Sequence, residues 1–415
     1  MKIEDILTTI KEGCRDAARI WRDEMRQIFK DEGVIIFFFV VPLIYPLLYS
    51  WIYNNEVVRE VPVVVVDNSH SQLSRKFIRM CNASPDVKVV AYVDDMDEGK
   101  MLIGRNVARA LYYIPSDFQT RIYRMEQATI SVYCDMSLVL CYKAAYQTAL
   151  MVSQEMNSEI QIQLAGKYTK REEQIQAKPL EADGQALFSP AGGYGSFVLP
   201  AVLMLIVQQT LVLGIGLSAG TARENNRYRD LVPVSRHYNG IFRIVLGKSL
   251  CYFMVYAVIS AWLTMIVPKL FGFVSLLEWH SLLGLMVPYL LACIFFGMMI
   301  SCLVRYRENV MLLIVFMSVP LLFLSGVSWP QSSMPGAWRS VACLFPSTFG
   351  VRGFVRLNSM GATLADIELE YKALWIQTTV YFFATCLVYR YQIIQARNHA
   401  VETIKRMQEK LELNK

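Results

Sequence analysis

The sequence predicts an α-helical polytopic membrane protein: six transmembrane helices, a re-entrant hairpin between spans five and six, and an α/β extracytoplasmic domain after span one. Three observations predict it. Of 415 residues, 54% are hydrophobic and 18% charged, with a mean hydropathy of +0.33, whereas soluble domains run at roughly 45–50% and about 25%. Six stretches lack Asp, Glu, Lys and Arg over lengths near the ~20 residues that carry a helix across ~30 Å of hydrocarbon. Between them lies one long segment whose strands and helices alternate. The net charge of +6, from 41 basic and 35 acidic residues, is too mild to point to a nucleic-acid partner.

Residues 1–32 read as a cytoplasmic amphipathic helix. Ile3, Ile6, Leu7, Ile10, Cys14, Ala17, Ala18, Trp21, Met25 and Ile28 recur at threes and fours and share one face. Such a helix lies in the bilayer interface with Trp21 at headgroup depth; packing on a neighbouring soluble subunit is the alternative. This leading segment is too long and too mixed in charge for the n-region of a signal peptide. The first span is 33–54, centred on the charge-free Val34–Tyr53, with Pro42 and Pro46 as kink points.

Residues 55–195 are long enough for their own core. Val61–Asp67, Val87–Val93, Val107–Ile114 and Ala128–Cys134 read as strands. Leu73–Cys81 and Met96–Ile103 have helical spacing, and Pro115-Ser116-Asp117 looks like a helix start. Alternation of this kind implies an α/β domain. One long helix then runs from Leu138 to about Ala165, before a polar stalk at 166–183 and the breaker Ser189-Pro190-Ala191-Gly192-Gly193. His70 lies beside Asp67 and Ser69, but three residues so close in sequence cannot build a triad; turn chemistry at a strand end accounts for them. Cys81, Cys134, Cys141 and Cys343 could form two disulfides, and spacing selects no pairing.

Residues 196–392 hold the other five spans, in the charge-free windows Ser196–Ala222, Ser249–Pro268, Ser281–Val304, Val310–Trp338 and Ala373–Tyr389. Segments 1–33, 221–248, 305–309 and 390–415 carry 21 Lys and Arg, and the short segments 269–280 and 330–372 carry 5. The positive-inside rule therefore puts both termini, including the tail 393–415, in the cytoplasm. Mid-span amides are costly in hydrocarbon and must face protein or water. Gln208 and Gln209 in span two, and Gln377 and Thr378 in span six, therefore either line a substrate path or hydrogen-bond between helices. Segment 325–361 contains Gly326, Pro330, Pro335, Trp338 and Pro346 and cannot be one straight helix. It reads as a re-entrant hairpin forming an outer gate; an ordinary outside loop lying on the surface is the alternative.

Catalytic chemistry is missing. Gly247-Lys248-Ser249 is the nearest fragment of a phosphate loop, yet Phe242 stands where that loop needs a glycine, and no strand precedes it. HExxH, EF-hand and CxxC motifs are absent. The spans carry no charge of their own, which argues against a carrier built on buried carboxylates.

The chain resembles the permeases of ABC type-2 exporters. Arg223-Glu224, Leu231, Pro233-Val234-Ser235 and Gly247-Lys248 look like that family's cytoplasmic loop. The run Ser325-Gly326, Pro330, Met334-Pro335, Trp338, Pro346-Ser347-Thr348, Arg356 and Gly361 resembles its motif after span five. A large insert after span one resembles its drug-exporter-like bacterial branch. The Gly-Thr usual after Arg-Glu is missing here. The resemblance implies a bacterial inner-membrane half-transporter that pairs with a second permease, identical or a sister chain. Two separate ABC ATPase subunits would bind ATP, so no cofactor is expected on this chain, and a membrane-fusion adaptor is a further compatible partner. It also implies that loop 221–243 takes the push from the ATPases through Arg223, Glu224, Arg227, Tyr228 and Arg229, with Arg305, Arg307 and Glu308 as a second contact. The cargo expected is amphipathic or hydrophobic. The competing reading is a signalling or force-transmitting membrane protein whose outside domain binds an envelope partner.

Overall fold

The computed structural model describes residues 3–54, 57–165, 193–224, 241–303 and 306–413. They divide into two compact units, 57–186 and the remainder, and each is described by itself.

The larger unit is helical. Its elements are α1 (Ile3–Ile28), α2 (Glu32–Ile52), then, after the α/β unit, α7 (Tyr194–Glu224), α8 (Ile241–Leu270), α9 (Trp279–Leu303), α10 (Arg307–Leu324), α11 (Gly336–Ala342), α12 (Pro346–Met360) and α13 (Glu368–Leu413). Among the described residues, α2 and α10, with Tyr194–Thr221 of α7, α8 and Trp279–Ser301 of α9, are long and apolar enough to cross a membrane. The stretch 373–389, expected as a further span, lies within α13 and is not one of these five; Gln377, Thr378, Thr379 and Thr385 lower its hydropathy. The apolar stretch of α7 is 94% buried and that of α10 only 22%. α7 is therefore the central post, around which α9, α10 and α12 pack.

Two π turns interrupt the spans, Ile36–Val40 and Trp262–Ile266. Each holds the residue four before a proline, Phe38 before Pro42 and Thr264 before Pro268. A proline ring collides with that carbonyl in a regular helix, and one wide turn relieves the collision. Phe38 is fully buried and packs edge-on to Tyr252 and Tyr256 of α8.

The smaller unit is an α/β sheet of order β2-β1-β3-β4. Its elements are β1 (Val61–Asp67), α3 (Gln72–Ala83), β2 (Val87–Tyr92), α4 (Met96–Gly104), β3 (Ala110–Ile114), α5 (Phe118–Tyr123), β4 (Ser131–Cys134) and α6 (Val139–Ala165). β1 pairs parallel to both β2 and β3, and β4 closes the edge antiparallel to β3. A central parallel strand is covered on both faces and needs an unbroken apolar run, which Val63–Val66 supplies with no exposed surface. Strand β3 starts at Ala110 instead of Val107, because Asn106 turns with φ 61° and the Val107 and Ala108 amides bond back to Leu102 of α4. Tyr112 closes the core against α6 by donating to the Ala145 carbonyl at 2.7 Å. The stalk at 166–183 lies outside the described residues.

Cys81, Cys134, Cys141 and Cys343 are free thiols. Burial pushes the Cys81 thiol up to about 12 and that of Cys134 up to about 11. At pH 8 the folded chain should therefore alkylate at Cys81 about a hundredfold more slowly than the urea-unfolded chain. Quantitative mass spectrometry after timed maleimide exposure measures this, and equal rates would contradict the packing of α3 on the sheet.

Candidate gate and coupling elements

The sequence-predicted coupling residues divide at the limit of the described structure. Arg223 and Glu224 stand in the last turn of α7, whereas Arg227, Tyr228, Arg229 and Arg305 lie outside the described residues. Arg307 opens α10 and turns inward, with one guanidinium nitrogen 3.2 Å from Asp31 Oδ1. The same carboxylate oxygen caps α2 by accepting from the Gly33 and Val34 amides at 3.0 and 3.3 Å. A Cβ on Gly33 would fall 1.8 Å from the Arg307 guanidinium, so any other residue here would push that side-chain end aside. Glu308 is exposed.

α1 and α8 meet in contacts that the sequence reading did not place. The apolar stripe of α1, expected in the bilayer interface, packs on α8: Ile20 and Ile28 are buried, and Trp21 and Met25 are partly covered by the bundle. Charge also enters this contact. Span three was expected to begin at Ser249, but α8 starts at Ile241 and brings Lys248 into the bundle. Lys248 Nζ lies 2.8 Å from Glu24 Oε2 of α1, and these side chains are 6% and 3% exposed. Tyr252 donates its hydroxyl to the other Glu24 oxygen. Arg243 pairs with Asp16 at 3.1 Å, so acids at 16, 24 and 31 each meet a base on α8 or α10. Gly247 permits the approach, since its Cβ would stand 3.0 Å from the Ala17 carbonyl oxygen. The sequence held a signal for this site: Ile20, Glu24 and Ile28 share one helical stripe, with an acid in its middle.

The second cluster surrounds the break between α11 and α12. Gly326 turns the chain after α10 with φ 88°. Pro330 precedes a 3-10 turn, Pro335 precedes α11, and Pro346 opens α12. Trp338 on α11 is exposed. α12 is mostly buried, packed on α7, α9 and α13, and Gly350 lets it pass the Tyr289 ring, which a Cβ would meet at 2.3 Å.

A helix break leaves orphan carbonyls on one side and orphan amides on the other. Here side chains from α7, α13 and α12 itself take them up. Gln377 donates to the Cys343 carbonyl at 2.7 Å, Tyr381 donates to that of Leu344, and Thr348 donates to that of Ala342 at 2.7 Å. The Ser347 amide donates to Gln208 Oε1 at 2.6 Å. Gln208 stands at the middle of α7, roughly 20 Å along the axis from either end. Two of the four predicted path residues thus converge on one turn. Thr378 instead bonds the Pro288 carbonyl of α9 at 3.1 Å, and Gln209 points its buried Nε2 at no partner among the described residues.

Nearer the start of α13, sequence reasoning missed Glu370. It is buried and bridges Arg352 at 3.1 Å and Arg356 at 3.5 Å, and Arg352 also donates to Gln331 at 2.8 Å. A neutral buried hydrogen bond contributes about 0.5–1.5 kcal/mol net. Baring one member of a buried ion pair costs about 3–5 kcal/mol.

The family described as ABC-2 family transporter protein matches residues 33–387. The chain belongs to the ABC-2 transporter family. Comparison with curated proteins finds no match. This ABC-2 permease is a multi-pass membrane protein and a component of a transporter. The family match takes in the α/β unit, both helices of the broken segment, and α13 beyond Glu370.

For the permease, replacing Glu24 by Gln or Lys248 by Met alone should lower stability by about 3–5 kcal/mol, and the paired change to Met at both should recover most of the loss. Chemical unfolding of the detergent-solubilised chain measures both; equal stability of single and double variants would remove the ion pair from the account.

Proposed function

We propose that this permease is the membrane-spanning half of an exporter. It moves an amphipathic or hydrophobic substrate out of the cytoplasm or the inner membrane, using ATP hydrolysed by separate ATPase subunits. The observation that carries the reading is the broken α11–α12 segment, whose turn meets Gln208 at the middle of α7. Irregular backbone at membrane depth is tolerated where it is buried in protein or lines a cavity, so the segment suits a re-entrant hairpin serving as outer gate.

In this reading α13 provides the sixth span, both termini are cytoplasmic, and the α/β unit is extracytoplasmic. A second permease, identical or a sister chain, completes the pathway. The ATPases push through loop 221–243, with Arg223, Glu224, Arg227, Tyr228 and Arg229 as the receiving residues. The ion pairs Asp16–Arg243, Glu24–Lys248 and Asp31–Arg307 support this arrangement, because they join α1 to α8 and the α1–α2 connection to α10. The charge-neutral side chains near mid-bundle favour hydrophobic or amphipathic cargo over ions.

Co-reconstituted with its ATPase, the permease should accumulate a labelled amphiphile in inverted vesicles only with ATP; hydrolysis without accumulation would favour the signalling reading. Arg223→Glu with Arg227→Glu should abolish ATPase co-purification and leave membrane insertion intact, as pull-down and membrane fractionation read out. An impermeant thiol probe outside intact cells should label a cysteine placed at residue 100 and miss one at residue 228. The reverse pattern would overturn the topology.

A further inference from the structure

We propose that Gln208 is the catch that holds the hairpin against the central post: a positioning residue whose amide oxygen fixes the N terminus of α12. The inference rests on the gate reading of segment 325–361 and adds the residue that keeps the gate shut. α12 starts after Phe345, which has no side-chain oxygen to cap it, and Pro346 has no N–H. Ser347 therefore presents the first backbone donor of the helix. Gln208 meets it from another helix at 2.6 Å, doing the work that Ser, Thr, Asp or Asn does in an ordinary N-cap. The Cys293 thiol of α9 donates to the same oxygen at 3.7 Å. One oxygen thus joins α7, α9 and α12.

The catch is built to yield before the rest. The turn and α12 are tied to α13 by Gln377, Tyr381 and the charged Glu370 cluster. Beside their apolar packing, their polar tie to α7 is the neutral Gln208 bond. Parting from α13 would bare a buried carboxylate, whereas the Ser347 amide and the Gln208 oxygen can each exchange their partner for entering water. Parting therefore falls between α12 and α7. Gly350 presents no side chain to catch on Tyr289 as α12 moves. Water then reaches the middle of the bundle beside Cys293.

The chain carries its own probes. Cys293 and Cys251 are both fully buried, and only Cys293 touches the Gln208 oxygen. The full-length chain in liposomes is treated with N-ethylmaleimide, and each thiol is followed by mass spectrometry. Gln208→Met keeps the length and removes the oxygen; it should speed alkylation of Cys293 by about tenfold or more and leave Cys251 unchanged. Gln208→Glu keeps an oxygen in place whether or not it is protonated, and should stay within about threefold of the parent chain. An unchanged Cys293 in the Met variant, or an equal rise in the Met and Glu variants, overturns the proposal. Should the Met variant also expose Cys251, Gln208→Asn, one methylene too short to reach Ser347, is read against the same two outcomes. The labelling uses neither ATPase nor cargo, so its failure is distinct from failure of the export reading.

Discussion

A backbone that breaks between two helices orphans amides and carbonyls, and those that apolar surroundings keep from water must find a protein partner. The turn between α11 and α12 meets that requirement with side chains that lie far away in sequence. Gln208 comes from α7, and Gln377 and Tyr381 come from α13. This constraint explains why polar residues occur in otherwise apolar spans, and why α12 can be short and still nearly wholly buried. It also fixes the neighbours of α12: a helix held through its first amide and the carbonyls before it has little freedom in depth or rotation.

Charge is handled differently. Asp16 and Glu24 of α1 and Asp31 of the α1–α2 connection each meet a base on α8 or α10, and the Glu24–Lys248 pair is enclosed with a tyrosine hydroxyl on its remaining oxygen. Enclosed pairs add little net stability, yet they penalise any alternative packing that would leave one charge alone. Their effect is register. α1 can meet α8 in one alignment, with Gly247 beneath Ala17.

Much of the architecture was legible in the residues. The strands and helices of the α/β unit follow from period-two and period-3.6 patterns, and the observed ends differ by a few residues, as at β3, where a positive φ at Asn106 shortens the strand. Charge-free windows located the helices of the bundle. They also hid its ionic contacts. A window defined by lacking charge ends at the first lysine, so Lys248 was assigned to a loop although the helix continues through it. Glu370 was lost in the same way, lying just beyond the last window. For Gln208 both alternatives were open from the sequence. The structure gives the interhelical bond, and no local pattern could have named Ser347 as its donor.

α13 runs unbroken from Glu368 to Leu413 over 46 residues, a rod of roughly 70 Å at 1.5 Å per residue. No glycine or proline interrupts it, and those are the usual origins of a sharp bend. The carboxylate that grips α12 and the amide that holds the turn both sit on this rod, near its first turns. A tilt imposed at its far end therefore has no kink point to absorb it before it reaches the break.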